Sequence, residues 1–201
     1  NGLIDDRSDH VLRKGGMCPG DVLILTKPIG TGTLFAAHAR LEAKGRWIDD
    51  ALQSMRHSNR LGAECLRRFG ATACTDLTGF GLLGHLVEMT RPSGVDAILY
   101  LSALPILDGA EETVAAGILS SLQPANVRLR RAIRDAKVTV NHPRYPLIFD
   151  PQTAGGLLAS IPANQADSCV RELIALGYPR ACIIGSIHPQ GDALEPVLLR
   201  D

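Results

Sequence analysis

Thr75-Asp76-Leu77-Thr78-Gly79-Phe80-Gly81-Leu82-Leu83-Gly84-His85 carries a short apolar run to a carboxylate, then a glycine turn, then residues spaced for a helix. Strand, glycine turn and helix in that order form the unit from which layered α/β proteins are built. Glycines let the backbone approach a ligand closely, and the first N–H groups of a helix present partial positive charge to anions. A carboxylate beside such a site is placed to hold a hard cation, and magnesium is commonly held by one or two carboxylates together with nucleotide phosphates. The same segment also reads as a tight turn with Asp76 as the N-cap, a position aspartate favours. Local chemistry leaves both readings open.

Gly79, Gly81 and Gly84 also spell G-x-G-x-x-G, but a dinucleotide fold needs an acidic residue about 20 positions later, at the end of the next strand. Asp96 comes early and at the start of that strand, and Tyr100-Leu-Ser-Ala103 offers no carboxylate. A dinucleotide site is therefore not expected.

Upstream, Pro19-Gly20 marks a turn before a strand over 21–27, a glycine loop over 28–33 and a helix over 34–44 ended by Gly45. Residues 48–69 have the spacing of one long amphipathic helix ended by Gly70, and 71–75 read as a strand. Downstream, Pro92-Ser-Gly94 terminates the helix that begins near His85. A strand over 95–101, a helix over 106–117 and a loop with a helical turn over 120–131 follow. Strands are expected at 137–140, 145–149 and 157–161 with a hairpin-like stretch around 150, then a helix at 164–176 and strands at 181–187 and 196–199. Apolar sheet faces need helices to cover them, so a layered sandwich is the economical architecture.

The 201 residues suffice for one substantial core, which must be built from Leu, Ile, Val and Ala because aromatics make up 4%. Twenty-one basic residues balance twenty-one acidic ones, so no net field draws the chain to nucleic acid or an anionic membrane. No apolar run approaches the roughly 20 residues that span a bilayer, and the opening NGLIDDRSDH is too polar for a signal peptide. A cytoplasmic protein is expected. Cys18, Cys65, Cys74, Cys169 and Cys182 are odd in number and lack a C-x-x-C pair, so they read as reduced, buried thiols, none of them a nucleophile. Residues 1–20, charged, glycine-rich and without an initiator Met, read as the remnant of an interdomain linker ahead of a domain at 21–201.

TDLTGFGLLGH resembles the signature of the C-terminal domain of selenophosphate synthetases, in the superfamily of aminoimidazole ribonucleotide synthetase. Further matches follow in order at Pro19-Gly-Asp21, Leu25-Thr-Lys-Pro-Ile-Gly-Thr-Gly32, Ser120-Ser-Leu-Gln-Pro-Ala-Asn126 and Phe149-Asp-Pro-Gln-Thr-Ala-Gly-Gly-Leu157. The resemblance covers nearly the whole chain. It implies an α+β fold, a layered α/β/α sandwich with a mixed sheet. It also implies a two-domain enzyme, dimeric at full length, that uses ATP and Mg2+ to convert selenide and water into selenophosphate, AMP and phosphate.

By that resemblance Asp76 is the metal-binding carboxylate of this domain. The reactive Cys or selenocysteine, a catalytic Lys and the other metal-binding aspartates belong to an N-terminal domain, so no catalytic residue is assigned here and this piece alone is expected to be inactive. Gly79 and Gly81 are placed to approach the nucleotide. Lys27 either points into the cleft toward phosphate or is a solvated strand end. Asp150 and Thr153 form a second acidic turn near the cleft, or an Asx turn, and Ala154 replaces the family's usual Ser. A lone His85 suits packing or capping better than metal ligation, and Asn59 and Asn126 are expected to bond backbone. The alternatives are another ATP-dependent synthetase or maturation enzyme of the superfamily, which Ser120–Asn126 argues against, or a non-catalytic nucleotide-binding module.

Overall fold

A computed structural model describes residues 11–201. Seven strands form one mixed sheet in the order β2-β5-β1-β6-β3-β7-β4, with β1 Asp21–Leu25, β2 Ala73–Asp76, β3 Val95–Tyr100, β4 Ile133–Arg134, β5 Leu157–Pro162, β6 Cys182–Pro189 and β7 Val197–Arg200. β5 and β6 run against the other five. The carboxyl ends of β1 and β2 therefore reach the same end of the sheet, on either side of the amino end of β5. Three of the glycine-bearing segments are gathered at this end.

Successive side chains of a strand face opposite sides, and β1 shows what covers each. Leu23 and Leu25 enter a core with Leu34 of α1 (Thr31–Ala39), Trp47 of α2 (Gly45–Arg56) and Leu82 and Leu86 of α4 (Gly81–Ser93). Ile24 faces the other way, onto Cys65 and Leu66 of α3 (Arg60–Arg68) and Cys169 and Leu173 of α7 (Ala163–Ala175). Helices on both faces of a mixed sheet make the expected α/β/α sandwich. Two shorter helices, α5 (Ala110–Ala115) and α6 (Gln123–Asn126), complete the first layer's surroundings.

Several local expectations are corrected. The helix expected at 34–44 stops at Ala39, where Leu41 takes a positive φ of 61° and Glu42 N–H bonds back to Ala37 O at 2.9 Å. Gly45 opens α2 instead of ending a helix. The single helix expected over 48–69 is two, because groups from elsewhere claim the carbonyls at the break. Lys27 Nζ donates to His57 O at 2.6 Å and the Tyr178 hydroxyl to Ser58 O at 2.7 Å. Of 106–117 only Ala110–Ala115 is α-helical. The strands expected at 137–140 and 145–149 are 3-10 turns, Ala136–Val138 and Pro146–Phe149, and no hairpin forms near 150. Leu147, Ile148 and Phe149 are consecutive and all buried, a pattern that periodicity alone cannot assign to a strand.

Residues 11–20, read as linker, pack onto the domain. Met17 is buried, Arg13 O accepts from Cys74 N–H at 2.8 Å on the edge strand β2, and the N–H groups of Gly16 and Met17 both reach Ser93 Oγ. The rest of the expected linker, 1–10, lies outside the described residues.

Candidate active-site face

Asp76 ends β2 opposite Leu157 of β5, and its exposed side chain has no hydrogen-bond or ion-pair partner among the described residues. It does not cap a helix, since α4 begins five residues later with no side-chain cap. The intervening turn is held by others. Thr78 O accepts from Gln152 N–H at 3.0 Å and from Gly81 N–H at 3.1 Å, and Leu77 N–H donates to Gly156 O at 2.9 Å. Asn126 Nδ2 reaches both Gly79 O, at 2.8 Å, and Phe149 O, at 3.0 Å. His85 Nε2 accepts from Thr78 N–H at 3.0 Å, so the proton of the neutral ring sits on Nδ1, 3.3 Å from Glu88 Oε2 but without hydrogen-bond alignment. Burial pushes the imidazole below its ordinary pKa, with Glu88 partly opposing. His85 is thus a buried cap on the turn, and Asn59, whose Nδ2 donates to Gly155 O at 2.9 Å, bonds backbone as expected.

The two glycines singled out beside Asp76 differ. Gly81 has φ 71°, and a Cβ there would lie 2.9 Å from the Phe149 carbonyl carbon, so its identity answers to internal packing. Around Gly79 the space is open.

The glycine loop ahead of α1 is already occupied by the protein itself. Gly30 N–H, Thr31 N–H and the Thr31 hydroxyl all donate to Gln152 Oε1, at 3.0, 3.3 and 3.1 Å. Gly32 N–H donates to Asp150 Oδ2 at 3.0 Å, and Gln152 Nε2 donates to the same oxygen at 3.0 Å. Asp150 is 0% exposed with Oδ1 unpartnered. Burial raises its pKa to about 7 against the opposing pull of Gln152 and the α1 amides. The structure therefore puts Asp150 beneath the amino end of α1 and not on an open cleft. Gln152, which the sequence reading passed over, ties the loop together; between Pro151 and Thr153 nothing in the pattern distinguishes it from an ordinary turn residue.

Lys27 is only 4% exposed, which removes the solvated strand end as a reading. Its ammonium sits on His57 O at the carboxyl end of α2, where a helix dipole favours a cation, and 3.4 Å from Ala154 O. Burial lowers its pKa.

Thr31, Gly32, Gly79, Ser120, Ser121 and Thr153 line one cavity of about 570 Å³. Four of the five segments quoted in the sequence analysis contribute to it, Pro19-Gly-Asp21 at the start of β1 being the exception, and its polar lining is largely hydroxyl. Among the described residues no group of three His, Cys, Asp or Glu side chains is placed to hold a metal alone. Asp76, with neither oxygen bonded to a described residue, fits one ligand of a magnesium shared with phosphates and other residues. Among the cysteines, Cys65, Cys74 and Cys169 are buried, and burial pushes the thiols of Cys74 and Cys169 to about 12 and that of Cys182 to about 11. Cys18, expected to be buried, is exposed.

The profile of the family described as AIR synthase related protein, C-terminal domain, matches residues 18–194. Selenide, water dikinase 2 of Peptoclostridium acidaminophilum is 36% identical over 182 residues, covering 89% of this chain and 51% of that protein. Selenide, water dikinase of Desulfitobacterium hafniense (strain Y51) is 43% identical over 185 residues, covering 90% and 52%. The chain thus spans about half the length of the curated relatives it matches. A solved structure of hydrogenase maturation protein HypE in complex with ATP superposes with a TM-score of 0.66 at 18% identity, over 94% of this chain and 49% of that one, a likeness of fold.

Proposed function

The chain belongs to the family of AIR synthase related protein C-terminal domains, and from that premise we propose that it is the C-terminal half of an ATP-dependent selenide, water dikinase. The observation that carries this reading is Asp76, exposed at the carboxyl end of β2 without a partner among the described residues, three residues ahead of Gly79, which lines a cavity together with three other segments shared with selenophosphate synthetases. Magnesium, when bound, offsets the charge of nucleotide phosphates, and phosphoryl transfer depends mainly on such electrostatics and on positioning.

This chain's part is one wall. Asp76 offers a carboxylate to the metal, and the hydroxyls of Ser120 and Thr153 meet polar groups of the ligand. Gly79 leaves room for close approach. Gly81, Lys27 and Asp150 act on the site by shaping the turns at 78–81 and 150–156. The nucleophile and further metal ligands come from an N-terminal domain, and the whole protein is a cytoplasmic homodimer. No described helix is long and apolar enough to cross a membrane.

The test uses the full-length enzyme. Asp76→Ala abolishes selenide-dependent ATP cleavage while leaving the thermal midpoint unchanged; full activity of the variant with magnesium refutes the role of Asp76. ATP cleavage by the unaltered enzyme that answers to another acceptor and not to selenide refutes the function itself.

A further inference from the structure

A second cavity, about 350 Å³, lies between the carboxyl end of α2 and the loop that enters β6. Pro28, Leu107 and Pro179 give it apolar walls, and Gln53 and Ser54 add polar ones. Five further side chains on its lining, Lys27, Asp50, His57, Tyr178 and Arg180, are ionisable, and they differ in how they are satisfied. Arg180 is engaged, donating to Ile106 O at 2.6 Å and to Asp108 Oδ1 at 2.8 Å. His57 packs edge-on to Tyr178, with Nε2 buried and unpartnered. Lys27 contacts backbone carbonyls only. Asp50, half-buried on α2, has neither a hydrogen bond nor an ion pair among the described residues.

Lys27 and Asp50 thus put opposite charges on the lining of one small cavity without pairing with each other. A buried ammonium without a carboxylate partner is costly, and carbonyl dipoles answer it only in part. A ligand that bears both charges completes both groups at once, and a cavity of this size with apolar walls and a few polar groups has the character of a small-molecule site. We propose that this cavity binds a small zwitterion of the α-amino acid class, its carboxylate on Lys27, its ammonium on Asp50 and a polar side chain against Gln53 and Ser54. The site is separate from the Asp76 face. The 153–156 turn divides them, with Thr153 lining the first cavity and the Ala154 carbonyl contacting Lys27 at the second. The two cavities share no lining residue, so the inference and the dikinase reading are tested separately.

Titration calorimetry on the full-length protein with the twenty common amino acids, followed by single-charge analogues of those that bind, tests it. For L-serine the analogues are ethanolamine, which lacks the carboxylate, and 3-hydroxypropionate, which lacks the amine. Saturable binding of at least one amino acid is expected, with each analogue at least tenfold weaker. Asp50→Asn, on a half-exposed helix position that leaves folding intact by thermal melting, reduces amino-acid affinity to that of the amine-free analogue, whereas Asp76→Ala leaves it unchanged. Equal affinity for the amino acid and its amine-free analogue, binding indifferent to Asp50→Asn, or no saturable binding by any of the twenty overturns the proposal.

Discussion

Asp76 and Asp150 stand in similar sequence, each an acidic residue shortly ahead of glycines, and the fold gives them opposite surroundings. Asp76 projects from a strand end into solvent, whereas Asp150 lies beneath α1 with one oxygen bonded and the other bare. Motif reading found both but not the difference, because burial is decided by what packs over the turn. The difference has a pH signature. Burial raises the Asp150 carboxyl from 3.8 to about 7, so the folded state holds this proton more tightly than the unfolded chain does. Its contribution to stability is full below about pH 4 and is lost as pH rises through about 7. Asn at this position retains an acceptor for Gly32 N–H and does not titrate. The stability of Asp150→Asn relative to the unaltered chain should therefore climb between pH 4 and 8, by on the order of a few kcal/mol since one pKa unit corresponds to about 1.4 kcal/mol. Urea midpoints across that range measure it, and a constant gap between the two proteins contradicts it.

At the scale of elements, helix and strand identities were legible where the pattern was periodic and bounded by turn residues, as for α4, α7, β1, β3 and β5. They were not legible where tertiary bonds cut a periodic run. The break between α2 and α3 is such a case, since its amphipathic spacing continues across residues whose carbonyls serve Lys27 and Tyr178. Tyr178 accepts from Gly62 N–H at 2.7 Å while donating to Ser58 O. Tyr178→Phe leaves both backbone groups short of a partner and should lower stability by about 1–3 kcal/mol, read from denaturant unfolding. A paired test addresses the turn before α4. Gly81→Ala forces a Cβ against the Phe149 backbone at positive φ and should cost about 2 kcal/mol or more, whereas Gly79→Ala, in open space, should stay within about 1 kcal/mol. Similar losses from both would contradict the division of roles between the two glycines.

For the whole molecule, alternating apolar strands and amphipathic helices were enough to specify a layered sandwich, and the resemblance supplied its mixed sheet. Strand order was not readable, because β5 and β6 insert beside β1 from more than a hundred residues away. Those three strands have neighbours on both sides, so their amides should exchange with solvent most slowly, and those of the two-residue edge strand β4 much faster; hydrogen-exchange mass spectrometry resolves the order. The strand polarity that gathers the candidate site at one end also leaves the start of β1 at the other, and exposed Cys18 lies there, three residues before β1. With three of its companions buried and Cys182 held at a raised pKa, one thiol of five should react rapidly with maleimide in the native protein. Cys18 is thus a ready-made anchor for a dye or a solid support, one that would present the candidate-site end outward in a defined orientation without engineering a single residue.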